Sequence, residues 1–541
     1  MCGFFLSVGD VQVDIRALTE SIRHRGPDST RYFVGERVSC GFNRLAIVDD
    51  NPRSDQPMLD ESGRHLLLFN GEIYNYRALR RDLTDRYGAR FQTESDTEVL
   101  LSGLLLEGAS FAGKLDGIYA FAFVDLETLQ VLIGRDVFGV KPLYYRADAG
   151  RLYVSSELRP LRALGGGSLS WPNVSRYLAY GMVGSGQTIV AGISEVEPNS
   201  VMAFHGADLV ATTIIHEFCY DAADRAEPEE IAGLLERTIE SQKPAIAYGV
   251  MFSGGIDSTL LLDRCAEDRN LTGAYSVNVQ HPDMSERPWQ EHALGCLGLG
   301  PKWRVVELDS ADLSVAGLTA VSAGLDYPLF HPNFVGSLLL TRRAAEDGLK
   351  VLLSGEGADE VFLGYRWFFS RFSPSDYLEY VPLEAIGRVL GEAAVRPVAT
   401  DDLSIVEIFQ QIYIRRWLLR QDMTGMVNSI EVRVPFLGLE LAHAMNRLST
   451  TFKKGSGESK WILKEMLLSK FGAAFVHRKK VGFDFPLNDW ITDEHVAYLR
   501  AAGDVIDAKW LDKVLETYAG SWMRNRIIFS LAALVAWCEA R

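Results

Sequence analysis

Hydrophobic and polar positions change rhythm twice along this chain. Through residue 216 they run in short aromatic and β-branched stretches cut by Gly, Asp or Asn: Gly3–Val8, Arg31–Val48, His65–Asn70, Ala120–Arg135, Pro142–Ser155 and Ser200–His216. Runs of this kind predict strands. Two segments between them are spaced as helices. Tyr76–Tyr87 puts Leu79 and Leu83 on one face, and Asp96–Leu106 follows Ser95, an N-cap with Glu98 three residues on as a capping box. Long strands with a few helices predict sheets flanked by helices.

Beyond residue 228 strand and helix patterns alternate: Ala245–Phe252, Ser258–Arg269, Leu271–Val279, Ser285–Leu299, Trp303–Leu308, Val335–Ala345 and Lys350–Ser354. Alternation at this spacing predicts βαβ units around a parallel sheet. After residue 400 the pattern is mostly helical. Ile527–Cys538 reads as a buried terminal helix, too short for the roughly 20 residues that span a bilayer. A chain of 541 residues exceeds one core. The Ala-, Asp- and Glu-rich stretch Asp221–Pro228 is the predicted linker, giving domains 2–220 and 221–541.

Composition narrows the function classes. Apolar residues at 47% and charged residues at 23% are ordinary for a globular protein. The net charge of −16, with no block of five or more Lys or Arg, argues against a nucleic-acid partner. Six cysteines without a C-x-x-C pair give neither a zinc signature nor a disulfide framework. With no secretory leader pattern and no membrane span, the expected location is cytoplasmic.

Two Gly-rich segments carry phosphate chemistry. Ser253-Gly254-Gly255-Ile256-Asp257-Ser258 follows an apolar strand and opens a helix. Its glycines let the backbone approach an anion, and helix N-terminal N–H groups face it. It is neither a Walker A loop nor a dinucleotide fingerprint. Leu353-Ser354-Gly355-Glu356-Gly357-Ala358-Asp359-Glu360 again ends an apolar strand. Two such strand ends can share one nucleotide, and carboxylates at 356, 359 and 360 could hold Mg²⁺, which prefers oxygen ligands. At the other end stands Met1-Cys2-Gly3. Removal of Met1 would leave a cysteine with a free α-amine of pKa about 7.7–8.0, able to serve as the base for its own thiol.

The ordered set Cys2, Arg23-His24-Arg25-Gly26-Pro27-Asp28, Arg44-Leu45-Ala46-Ile47-Val48-Asp49, Asn70-Gly71-Glu72-Ile73-Tyr74-Asn75 and Glu94-Ser95-Asp96-Thr97-Glu98 resembles the class II glutaminase domain of glutamine-hydrolysing asparagine synthetases. The two Gly-rich segments resemble the ATP pyrophosphatase-type synthetase domain of the same family. So do Gly364-Tyr365, the segment from Ser429 to Leu437, Ser459-Lys460-Trp461-Ile462-Leu463-Lys464 and Arg478-Lys479-Lys480-Val481-Gly482-Phe483. The resemblance covers essentially the whole chain. It implies an N-terminal αββα N-terminal-nucleophile sandwich and a C-terminal parallel-sheet α/β domain with a helical end.

By the resemblance, Cys2 is the nucleophile and Asn70 and Gly71 form the oxyanion hole. Arg44, Ile47, Val48, Glu72 and Asp96 bind glutamine. Ser253, Gly254, Gly255, Asp257, Ser258, Val277, Ser354 and Gly355 bind ATP. Lys460 offsets phosphate charge, Asp257 and Asp359 hold Mg²⁺, and Glu356 and Glu431 contact the acceptor. The implied reaction activates a carboxylate as acyl-AMP, and ammonia from glutamine then attacks it inside the protein. The partners are glutamine and a carboxylic acid, aspartate first, and a homodimer stays open. Relatives that close a β-lactam ring carry Tyr where Glu356 stands and lack the cysteine.

Departures from the family pattern cluster near the acceptor. Phe362-Leu363-Gly364-Tyr365 replaces F-G-G-Y, and Gly438 follows P-F-L where Asp is common. Asp326–Asn333 carries aromatics, prolines and a His where many members are richer in Asp, Ser and Thr. Another carboxylic acid, in a specialised biosynthetic pathway, is therefore the alternative acceptor.

Overall fold

A computed structural model of the chain describes residues 2–540 apart from 10–12, 50, 166, 185, 223, 225, 282–283, 370–379, 383–403, 456 and 480–484. Met1 and the 480–483 end of the last motif lie outside the described residues.

In the first domain the strands are β1 (Cys2–Val8), β2 (Ser29–Val34), β3 (Val38–Arg44), β4 (Met58–Leu59), β5 (His65–Ile73), β6 (Gly117–Asp125), β7 (Gln130–Arg135), β8 (Tyr144–Asp148), β9 (Arg151–Ser155), β10 (Ser194–Glu195), β11 (Ser200–His205) and β12 (Asp208–Ile214). They form two antiparallel sheets, ordered β10-β8-β9-β1-β3-β2 and β12-β11-β7-β6-β5-β4. Side chains alternate across each strand. Phe4, Leu6 and Val8 of β1 meet Leu66 and Leu68 of β5 in the core between the sheets. Phe5 instead joins Tyr177 and Leu178 of the helix Trp171–Tyr180. Leu67 and Phe69 of β5 join Leu79, Leu83, Val99 and Leu100 of the helices Tyr76–Tyr87 and Asp96–Glu107. Helix, sheet, sheet and helix layers result.

The second domain is built on β13 (Tyr248–Met251), β14 (Leu271–Val279), β15 (Trp303–Leu308), β16 (Val351–Leu353) and β17 (Glu431–Arg433). All pair in parallel, in the order β15-β14-β13-β16-β17. The chain runs outward from β13 to β15 and then returns to β16, so the order reverses between β13 and β16. Ligands in open parallel sheets bind at such a reversal, beyond the strand carboxyl ends. Both Gly-rich segments leave these two strands. The helix Ile414–Met426 packs against the helix Asn333–Glu346 and β17.

Two expectations change, and the buried terminal helix forms as expected with a longer start. β17 lies inside the stretch read as helical, because three residues carry no detectable period. Ser95 caps the helix Asp96–Glu107 by accepting from the Glu98 N–H at 3.3 Å, but Glu98 does not complete a capping box. Its carboxylate accepts from the N–H groups of Gln92 and Thr93 at 2.8 and 2.7 Å. The terminal helix runs Met523–Glu539 with its apolar residues buried, and among the described residues no helix is long and apolar enough to cross a membrane.

Candidate functional sites

The first site lies at the start of β1. Cys2 is buried and pairs in register with Arg44 of β3. Its backbone N–H donates to Asn70 Oδ1 at 2.9 Å, and its carbonyl accepts from Arg25 Nε at 3.1 Å. Asn70 Nδ2 is buried with no hydrogen-bond partner. A free donor beside a nucleophile is what a developing oxyanion requires. Burial pushes the Cys2 thiol above its ordinary range, against the pull of the Leu45 N–H and the Arg44 charge. A protonated thiol needs a base. Gly71 has φ +155°, and a Cβ there would meet the Ile118 carbonyl oxygen at 2.1 Å, so the close approach of β6 requires glycine.

Cys2, Arg44, Ile47, Val48, Gly71, Glu72 and Asp96 line one cavity, joined by Asp49, Ser54 and Gln56. Arg44 is braced by Asp55 at 2.6 Å and by the carbonyls of Asp49 and Asn51. Asp96 accepts from the Ile73 N–H at 3.0 Å, and burial raises its carboxyl to about 6. Glu72 also accepts from Arg433 Nη2 at 2.8 Å, a residue of the second domain. Burial, with Glu431 and Asp96 nearby, raises Glu72 to about 8.

The second site, of about 380 Å³, opens between β13 and β16. Ser253, Gly255, Asp257, Ser258, Val277, Ser354, Gly355, Glu356 and Asp359 line it. Gly254, at φ +80°, makes the turn between Ser253 and Gly255. Lys460 Nζ bridges Asp257 Oδ2 and Asp359 Oδ1, each at 2.6 Å. Burial opposes the lysine's charge, but the two carboxylates more than offset this and hold its pKa above the usual range. A Cβ at Gly364 would meet Asp359 Oδ1 at 1.8 Å and Lys460 Cε at 2.1 Å, so this glycine makes room for the bridge. Asp257 Oδ1 is buried without a hydrogen-bond partner. Among the described residues no cluster of three or more His, Cys, Asp or Glu could hold a metal by itself. Mg²⁺ needs no such cluster, since one or two carboxylates plus substrate phosphates suffice. The orphaned oxygen fits that mode.

Two carboxylates stand elsewhere than their motifs suggest. Glu360 turns away from the phosphate loops and accepts from the Tyr365 hydroxyl at 2.7 Å. Glu431 does not line this cavity. It lies on β17, accepts from Arg433 Nε at 2.5 Å, and is held down to about 2 by that guanidinium despite its burial. At the other end of the cavity, groups that the sequence singled out meet Arg420, Gln421 and Trp417, which it passed over. Glu356 pairs with Arg420 and accepts from Gln421 Nε2 at 3.2 Å, while His331, Asn333, Tyr365 and Trp417 form the wall. Arg25 was legible within Arg23–Asp28 but had no assigned role. Arg420, Gln421 and Trp417 lie on a helix whose sequence carries no motif.

Residues 1–214 match the family described as glutamine amidotransferase domain, and residues 230–538 match asparagine synthase. The chain is 26% identical to glutamine-hydrolyzing asparagine synthetase 1 of Bacillus subtilis (strain 168), over 92% of this chain and 89% of that one. It is 27% identical to asparagine synthetase B of Escherichia coli (strain K12), over 89% and 82%. It is also 28% identical to amidase chry2 of Gibberella zeae, over 66% of this chain and 57% of that protein.

Proposed function

The chain belongs to the asparagine synthase family, and from that premise we propose that it moves the amide nitrogen of glutamine onto a carboxylate activated by ATP as acyl-AMP. The placement of Asn70 carries the reading. Its Oδ1 holds the Cys2 nitrogen and its Nδ2 has no hydrogen-bond partner. Once Met1 is removed, that nitrogen is an α-amine whose hydrogen bond to Asn70 leaves its lone pair to take the thiol proton. The thiolate attacks the glutamine carboxamide carbon, and Asn70 Nδ2 and the Gly71 backbone face the oxyanion. Collapse expels ammonia, with the proton returned from the α-amine, and leaves a γ-glutamyl thioester on Cys2 that water then hydrolyses to glutamate, restoring the thiol. Arg44, Asp96 and Glu72 hold the amino-acid end, with Ile47 and Val48 beside it. We place the domain boundary between residues 220 and 221.

In the second site Ser253, Gly254, Gly255 and Ser258 offer hydroxyl and backbone donors to phosphates, with Ser354 and Gly355 opposite and Val277 along the nucleotide. Lys460 offsets the charge that builds as pyrophosphate leaves. Magnesium would lie at Asp257 and Asp359, where it would neutralise phosphate charge. Ammonia crosses within the protein, because in water at neutral pH it is mostly protonated and no longer a nucleophile.

Aspartate is the acceptor that the relatives' names suggest, with Arg420 and Glu356 as partners for its α-carboxylate and α-ammonium. A second reading has its own observation. Burial together with Arg526, Arg420 and Arg416 holds His331 well below its usual pKa and therefore neutral. Trp417 and Tyr380 lie against it, with ring centroids at 5.5 and 4.6 Å. These rings suit a flatter, uncharged body. The test incubates the protein with glutamine, ATP, Mg²⁺ and a panel of carboxylic acids, and weighs the products. An acid that gains an amide with equal glutamate and AMP supports the reading, and aspartate against its analogue without the α-ammonium decides the acceptor. Glutamate release without AMP from any acid overturns it.

A further inference from the structure

The helix Ile414–Met426 carries three consecutive polar residues to both sites. Arg420 pairs with Glu356, and Gln421 Nε2 donates to Ser354 Oγ and Glu356 Oε2, each at 3.2 Å. Asp422, the next residue round the helix, faces the other domain. Its Oδ2 accepts from Arg25 Nη1 at 2.9 Å and its Oδ1 from Arg25 Nη2 at 3.1 Å. Arg25 is 1% exposed and donates its remaining Nε–H to the Cys2 carbonyl. Glu157 shares Arg25 Nη1 at 3.1 Å but also takes His24 at 2.8 Å. Lys141 Nζ stands 3.7 Å from Asp422 Oδ1. One turn on, Met426 packs on Leu45, whose N–H bonds the Cys2 thiol.

The nucleophile's carbonyl is thus joined to the acceptor loop by one guanidinium, one carboxylate and a single helical step. Bidentate pairs of this kind are directional, and a helix cannot shift at residues 420 and 421 without carrying residue 422. We propose that Asp422 is a positioning residue that transmits the state of the synthetase site to Cys2: ligand contact at Ser354 and Glu356 seats the helix, and Asp422 through Arg25 sets the nucleophile. This rests on the two-site amidation proposed above.

The test uses the full chain and the alkylation of Cys2 by iodoacetamide, followed peptide by peptide by mass spectrometry with and without ATP and Mg²⁺. In the wild type ATP changes the Cys2 rate by about fivefold or more, a modest coupling between sites. Asp422→Asn loses that response while ATP–pyrophosphate exchange and its own ATP binding persist. Should Asp422→Asn fail to fold, Gln421→Ala cuts the other end of the arm and leaves the Arg25–Asp422 pair whole, and it too loses the response. A wild type whose Cys2 ignores ATP, or a folded variant that responds as the wild type does, overturns the proposal. Failure of the underlying reading looks different: the wild type then neither hydrolyses glutamine nor exchanges pyrophosphate.

Discussion

Arg433 on β17 of the second domain donates from Nη2 to Glu72 Oε2 on β5 of the first, across 2.8 Å. The same guanidinium reaches Glu431 through Nε and the Gln242 carbonyl through Nη1, at 2.5 and 2.9 Å. Two buried carboxylates share one cation, so they cannot both be well compensated. Glu431 is held at about 2 and Glu72 is raised to about 8.

The sign of the resulting pH dependence differs for the two. Glu72 binds its proton more tightly folded than unfolded, so its contribution is fully present below about 4.5 and is lost as pH rises through 8. Glu431 contributes above about 4.5 and loses its contribution as pH falls toward 2. Glu72→Gln is therefore expected to stabilise the fold relative to wild type at pH 9 by at least ~1.4 kcal/mol, the equivalent of one pKa unit, with a smaller gain at pH 5. Thermal unfolding of both proteins at the two pH values checks this. A gain that does not grow with pH counts against it.

Cys2→Ala should end glutamate release from glutamine and leave ammonia-dependent AMP formation, because Cys2 and the phosphate loops line separate cavities. Parallel assays with glutamine and with ammonium chloride measure this. Equal loss of both activities contradicts two separate sites.

Asn70→Asp keeps an oxygen for the Cys2 nitrogen but exchanges the free Nδ2 donor for a second oxygen. Glutaminase kcat is expected to fall by about 10²–10³, the usual cost of one oxyanion donor, while Cys2 stays alkylatable. Retention of more than a tenth of wild-type kcat would refute this role for Nδ2.

Gly364→Ala should damage the adenylation site alone. Its Cβ would occupy the space of the Lys460–Asp359 contact, and misplacement near 1 Å can cost about 10²-fold in rate. Asp257→Asn, which removes one of the two carboxylate charges on Lys460 and exchanges one side-chain oxygen for an NH2, should act likewise. Pyrophosphate exchange should fall in both while glutamate release persists. Unchanged exchange in either protein removes that residue from the mechanism.

Much of the framework was legible locally. Tyr76–Tyr87, Leu271–Val279 and Trp303–Leu308 form with the predicted bounds, because each repeats apolar positions at its own period over enough residues to read. The Gly-rich loops were legible because anion contact, turn geometry and helix start all fall within one hexapeptide. Cys2 was a candidate through its own α-amine, whereas Asn70 and Asp257 were candidates through the family resemblance.

What local pattern could not hold is which distant charges meet. β17 is three residues long, and its pairing with β16 exists only through the packed helices around it. Arg25 and Asp422 are 397 residues apart, and Glu72 and Arg433 are 361 apart. Their pairing depends on how two independently patterned domains dock, and neither propensity nor period encodes that. The sequence by itself determined the longer secondary elements, the flanking of sheets by helices and the chemistry of the two loops and the terminal cysteine. Only the tertiary structure decided that Glu431 and Glu72 compete for one guanidinium, that Glu360 turns into the core, and that one helix touches both sites. Buried charges must find partners wherever packing brings them, and packing is a property of the whole chain.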